Sequence, residues 1–87
     1  METSGNHQHH IVEQSQIDKS AFEPQQIHNT NNIVEVTPQQ HYDITGHYNS
    51  IQDYTNGLRV RDWLAGKSFE FQYEYGIDIM NKLGITP

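Results

Sequence analysis

The sequence predicts a mainly α fold: a C-terminal helical hairpin, a largely disordered N-terminal arm, and room for one short β-hairpin. Three observations carry this. Large apolar residues gather between Gly57 and Gly84, which holds the only Trp together with Phe69 and Phe71. Within it Phe69, Tyr73, Ile77, Met80 and Leu83 recur at helical spacing, as one face of a helix. Residues 1–40, by contrast, are rich in Gln, Asn, His, Ser and Thr. Only 33% of the 87 residues are apolar and mean hydropathy is −0.84. Such a chain has little apolar surface to offset the entropy of ordering. The expected organisation is therefore a polar arm over 1–40 and a small helical domain over 41–87.

In chain order, residues 1–10 carry no element. Ile11 to Phe22 has an irregular apolar pattern, at most a transient helix before Pro24, and Gln25 to Asn32 reads as linker. Ile33-Val34-Glu35-Val36-Thr37 reads as a short strand stopped by Pro38. A lone strand needs a partner, and Tyr42–Ile44, with a turn at Gly46, is the candidate for a small hairpin. Ser50 suits the cap of a helical turn through Ile51, Asp53 and Tyr54, which Asn56-Gly57 breaks. Leu58, Val60, Trp63 and Leu64 suit a short helix ending at Gly66. The last helix has marked ends: Ser68 as cap, Glu70 in its first turn, Lys82 in its last and Gly84 just beyond. Gly76 costs about 1 kcal/mol inside it relative to Ala. A rival reading alternates Phe69, Phe71, Tyr73 and Tyr75 against polar neighbours, as a strand over 67–75. It stops at Gly76, so the helix is preferred. That helix has a second apolar stripe, Phe71, Tyr75 and Ile79, and so needs cover on two faces.

The run Gly57-Leu58-Arg59-Val60-Arg61-Asp62-Trp63-Leu64-Ala65-Gly66-Lys67-Ser68, with Tyr75-Gly76-Ile77-Asp78-Ile79-Met80 after it, resembles a motif of small, mostly uncharacterised phage and prophage proteins. There a Gly and an apolar residue lead into Arg-Asp, an aromatic and a helix. The resemblance spans residues 57–80 and implies two helices and a phage origin. It implies no activity. Arg59 stands where that motif has a Thr cap, and Gly66 where it has a helix former.

Formal charge is −6, from 5 basic and 11 acidic residues. This disfavours nucleic-acid binding, which draws its affinity from positive charge. There is no Cys, hence no thiolate nucleophile or Cys-based metal site. No apolar run reaches a membrane span, and no signal peptide is evident, so a cytoplasmic location (host cytoplasm for a phage protein) is expected. His7, His9 and His10 read as a solvated tail with weak metal affinity at best, and His41 and His47 match no ligand spacing. Gly66-Lys67-Ser68 lacks the preceding glycine of a phosphate loop, since Arg61 stands there. Arg61-Asp62 reads as a tie, with Arg61 reaching Glu70, Glu74 or Asp78 on the last helix.

The function expected is that of a non-enzymatic accessory protein acting by protein–protein binding or self-association. The candidate binding residues are Arg61, Asp62, Trp63, Phe71 and Tyr75, since Arg and Trp are common anchors. No catalytic residue, metal ligand, cofactor or small-molecule substrate is implied. The alternatives are a nucleic-acid-binding regulator using Arg59, Arg61 and Lys67, and a His-rich metal binder.

Overall fold

A computed structural model describes residues 5–86. The first four residues of the expected arm lie outside that range. The described residues form five helices and one two-stranded antiparallel sheet. The elements are β1 (His7–His10), α1 (Gln16–Lys19), α2 (Pro24–Ile27), β2 (Ile33–Val36), α3 (Pro38–Asn49), α4 (Val60–Leu64) and α5 (Phe69–Lys82).

The two C-terminal helices form where the sequence places them. The Ser68 hydroxyl caps α5 by accepting from the Phe71 N–H at 3.0 Å. Gly84 follows the helix with φ of 77°, a conformation glycine adopts without penalty. Residues 67–75 form no strand. The two apolar stripes turn out to flank a single buried face centred on Gln72, Gly76, Ile79 and Met80.

What covers that face is the N-terminal segment. A Cβ at Gly76 would sit 2.8 Å from both Ile11 Cγ2 and the Ile11 carbonyl oxygen, and 3.2 Å from the Tyr48 hydroxyl. Gly76 is thus the place where another backbone crosses the helix. One core, including Ile11, Val36, Ile44, Tyr48, Val60, Leu64, Met80 and Ile85, joins both halves of the chain. Residues 5–40, expected as a disordered arm, hold β1, α1, α2 and β2 and share this core with residues 41–86. Ile11, Val12 and Ile27 are buried, and Asn32 locks their segment. Its Nδ2 donates to the Val12 and Ile27 carbonyls at 3.1 and 2.9 Å, and its Oδ1 accepts from the Val12 N–H at 2.9 Å.

β2 occupies the expected strand, but its partner is β1, in the register His7 to Val36 and His9 to Val34. Tyr42–Ile44 lies inside α3 instead. The reason is local: Thr37 and Gln40 form a capping box, and Pro38 occupies the first turn. Proline there lacks only an N–H that would have had no helical partner.

Gly76→Ala tests the crossing. In an open helix the change gains about 1 kcal/mol. Here the obstacle includes a backbone carbonyl, and overpacking of this kind costs about 1–3 kcal/mol. Set against that gain, a net loss of up to about 2 kcal/mol is expected in urea unfolding. A midpoint raised by the full helix-propensity gain would mean that the N-terminal segment does not rest on α5.

Candidate functional site

α4 has five residues and sends them in three directions. Val60 and Leu64 are buried in the core. Trp63 turns towards α5 and the preceding loop. Its ring lies 5.2 Å from Tyr54, 5.7 Å from Tyr75 and 5.9 Å from Phe71, centroid to centroid. Such edge-on and tilted pairs are the favoured geometry of aromatic clusters. Phe71 and Tyr75 meet Trp63 together because they are one helical turn apart.

Tyr54 comes from a 3₁₀ turn, Asp53–Thr55. The loop doubles back through Asn56 and Gly57, both left-handed with φ of 56° and 84°, and closes in a bridge between Ile51 and Arg59. Thr55, fully buried, pins the turn to Gln52, accepting from its N–H at 3.0 Å and donating to its carbonyl at 2.9 Å.

The hydroxyls of this cluster are linked. Tyr54 and Tyr75 oxygens lie 2.7 Å apart, and the Tyr75 oxygen is 2.8 Å from His47 Nε2. Burial, then the bond to Tyr54, raises the Tyr75 pKa. Burial, then nearby Lys82, lowers that of His47. Both groups are therefore neutral at pH 7. Over the rings lies Lys67, whose Nζ is 4.6 Å from the Trp63 centroid and 5.4 Å from that of Phe71. Phe71 and Tyr54 remain 44% and 45% exposed, so these rings present a surface as well as a packing contact.

Arg61 and Asp62 belong elsewhere. Arg61 does not reach Glu70, Glu74 or Asp78. It grips Glu13 bidentately, Nε to Oε1 at 3.0 Å and Nη2 to Oε2 at 2.7 Å, and also donates to the Asn49 side chain. Glu13, first by hydrogen bonding, holds the guanidinium more firmly charged. The Arg61 carbonyl accepts from buried Gln16 at 2.8 Å. Asp62 lies between Lys19 at 3.1 Å and Arg59 at 3.0 Å, and hydrogen bonds from these two keep its carboxyl below its ordinary pKa. This pair fastens the N-terminal segment to α4. Of the five expected binding residues, Trp63, Phe71 and Tyr75 converge and Arg61 and Asp62 do not. Tyr54 and Lys67 complete the cluster. No spacing rule reveals Tyr54, because a non-repeating loop brings it in.

His7, His9 and His10 form β1 rather than a loose tail. Among the described residues, no group of three or more His, Asp or Glu is placed to hold a metal ion, and no helix is long and apolar enough to cross a membrane. No protein-family model, curated protein or solved structure matches the chain.

The Arg61–Glu13 pair is 18% and 16% exposed, between the exposed and the buried regimes. Arg61→Met and Glu13→Gln should each cost about 1–3 kcal/mol. The double variant should lose less than the sum, with a coupling of at least about 0.5 kcal/mol. Strict additivity in denaturant titrations would mean that the two side chains do not meet.

Proposed function

We propose that the protein is a non-enzymatic binding module of phage or prophage origin. Its working surface is the aromatic face of Tyr54, Trp63, Phe71 and Tyr75, and what it engages is another protein or a second copy of itself. One observation carries this reading: the cluster combines rings held in place by one another with two that stay nearly half exposed. Rings already ordered lose little side-chain entropy on binding, and aromatic residues dominate the energetics of protein interfaces. The same loop leaves Ile51 and Leu58 exposed at 62% and 49%, which adds apolar area around Tyr54.

The charge pattern favours protein over nucleic acid. Arg59 and Arg61, two of the cations a phosphate backbone would need, are engaged by Asp62 and Glu13. Glu74 and Asp78 lie within one turn of Phe71 and Tyr75 on α5. The phage origin rests on the motif over 57–80, and a host-cytoplasmic site of action follows from it.

Phe71→Ala is the discriminating substitution. Its side chain is exposed enough that stability should change by no more than about 1 kcal/mol, while binding should weaken at least tenfold. Sedimentation of both proteins through the micromolar range tests the second-copy form. Crosslinking in host lysate, wild type against Phe71→Ala, tests the protein-partner form. A monomeric wild type whose crosslinks survive the substitution would sink the reading.

A further inference from the structure

Five of the six histidines meet around β1. On its inner face His7 and His9 flank His41 of α3. The His7 and His41 Nδ1 atoms are 3.1 Å apart, and the His9 and His41 rings are 5.8 Å apart. On its outer face His10 packs edge-on against His28 at 5.3 Å and meets the Gln14 amide at 3.2 Å. His9 is only 4% exposed, and its Nε2 is buried with no hydrogen-bond partner. An open hollow of about 420 Å³, lined in part by His9, His10, His41, Glu13 and Arg61, adjoins the cluster.

We infer that β1 is an acid-released clasp, closed while His9 and His10 are neutral and opened when they take up protons. The strand can hold buried His9 only without charge, because among the described residues no group that faces it is free to balance one. Glu35 of β2 stands opposite Gln8 on the outer face and is exposed. Glu13 is committed to Arg61. Asp43 of α3 is exposed and bound by Gln39 at 2.9 Å. Arg59 and Arg61, which line the hollow, are paired with Asp62 and Glu13. A proton on His9 is therefore a buried, unpaired charge, which is costly. The opening has a natural limit. The Ile11 N–H donates to the Asn32 carbonyl at 2.8 Å and the Val12 N–H to its side chain at 2.9 Å. The part that leaves is residues 7–10.

The direction with pH follows. Burial, then His41, then His10, lowers the His9 pKa from 6.5 to about 4. Released, it titrates at its ordinary value. Between those limits the open form binds the extra proton, so closure is fullest above 6.5 and weakens as pH falls towards 4. From pH 7.5 to pH 5, His9 alone multiplies the opening constant by about 30. His10, lowered by burial and then by His28, adds to this. Asp62 is held below its ordinary 3.8, so its contribution is lost only at lower pH.

Amide exchange of the full-length chain, corrected for the intrinsic pH dependence of exchange, reads the opening directly. Protection of β1 amides should fall about 30-fold or more between pH 7.5 and pH 5 while α5 stays protected. His9→Leu should flatten that fall. Should the variant fold poorly, NMR titration of wild-type His9 decides. Apparent protonation below pH 5 in the folded chain supports the clasp. Titration near 6.5 with β1 still protected overturns it, as does an equal loss of protection in β1 and α5, or an unchanged fall in His9→Leu.

Discussion

The crossing of Ile11 over Gly76 is the contact on which the rest depends. α5 has one face wide enough to nucleate a core, but the short α4 covers only part of it. A bare glycine in the middle of that face lets a second backbone approach within contact of the helix. Once Ile11 and Val12 lie there, β1 is carried alongside β2, and Glu13 and Gln16 are carried to the guanidinium and the backbone carbonyl of Arg61 respectively. Any side chain at position 76 separates these layers. The residue that weakens α5 as a helix is therefore the one that makes it a platform.

The polar composition also has a structural reason. Four of the seven regular elements are only four residues long. Helices that short leave most of their backbone donors and acceptors without internal partners. Buried amide side chains take up part of that deficit. Asn32 ties Val12 and Ile27. Gln16 ties α1 to Arg61. Gln72 Nε2 lies within 3.0 Å of the Leu64 carbonyl and 2.9 Å of the Lys67 carbonyl, sealing the turn between α4 and α5. The Asn and Gln content that reads as disorder is partly this scaffolding, and average composition cannot tell a solvated amide from a clamped one.

Legibility tracked locality. The caps of α5, the Asn56-Gly57 turn, the strand at Ile33–Val36 and the short helix at Val60–Leu64 are each signalled by neighbouring residues, and each was readable. α3 was readable too, from Thr37-Pro38-Gln39-Gln40, but the apolar alternation at Tyr42–Ile44 and the helical Gly46 argued for a hairpin. β1 was not: His-Gln-His-His has no apolar period, and only its pairing with β2 makes it a strand. The same limit divided the expected site. Trp63, Phe71 and Tyr75 were placed by helical spacing, whereas the partner of Arg61, 48 residues away at Glu13, lies beyond any local rule.

α3 connects the histidine clasp to the aromatic face. His41, in its first half, touches β1. His47, near its end, meets the Tyr75 hydroxyl. Beside them on the same helix, Ile44 and Tyr48 are 1% exposed and belong to the main core. Those two residues decide how far a disturbance travels. Loss of β1 takes cover from the early turns of α3, but Tyr48 still lies against Gly76 and the Tyr75 ring. Opening the clasp therefore leaves the rings of Tyr54, Trp63 and Tyr75 in register, and newly exposes Val34, Val36 and the His41 side of α3. The acid response and the aromatic surface are separable properties of one fold, joined by a helix that Ile44 and Tyr48 hold in the core.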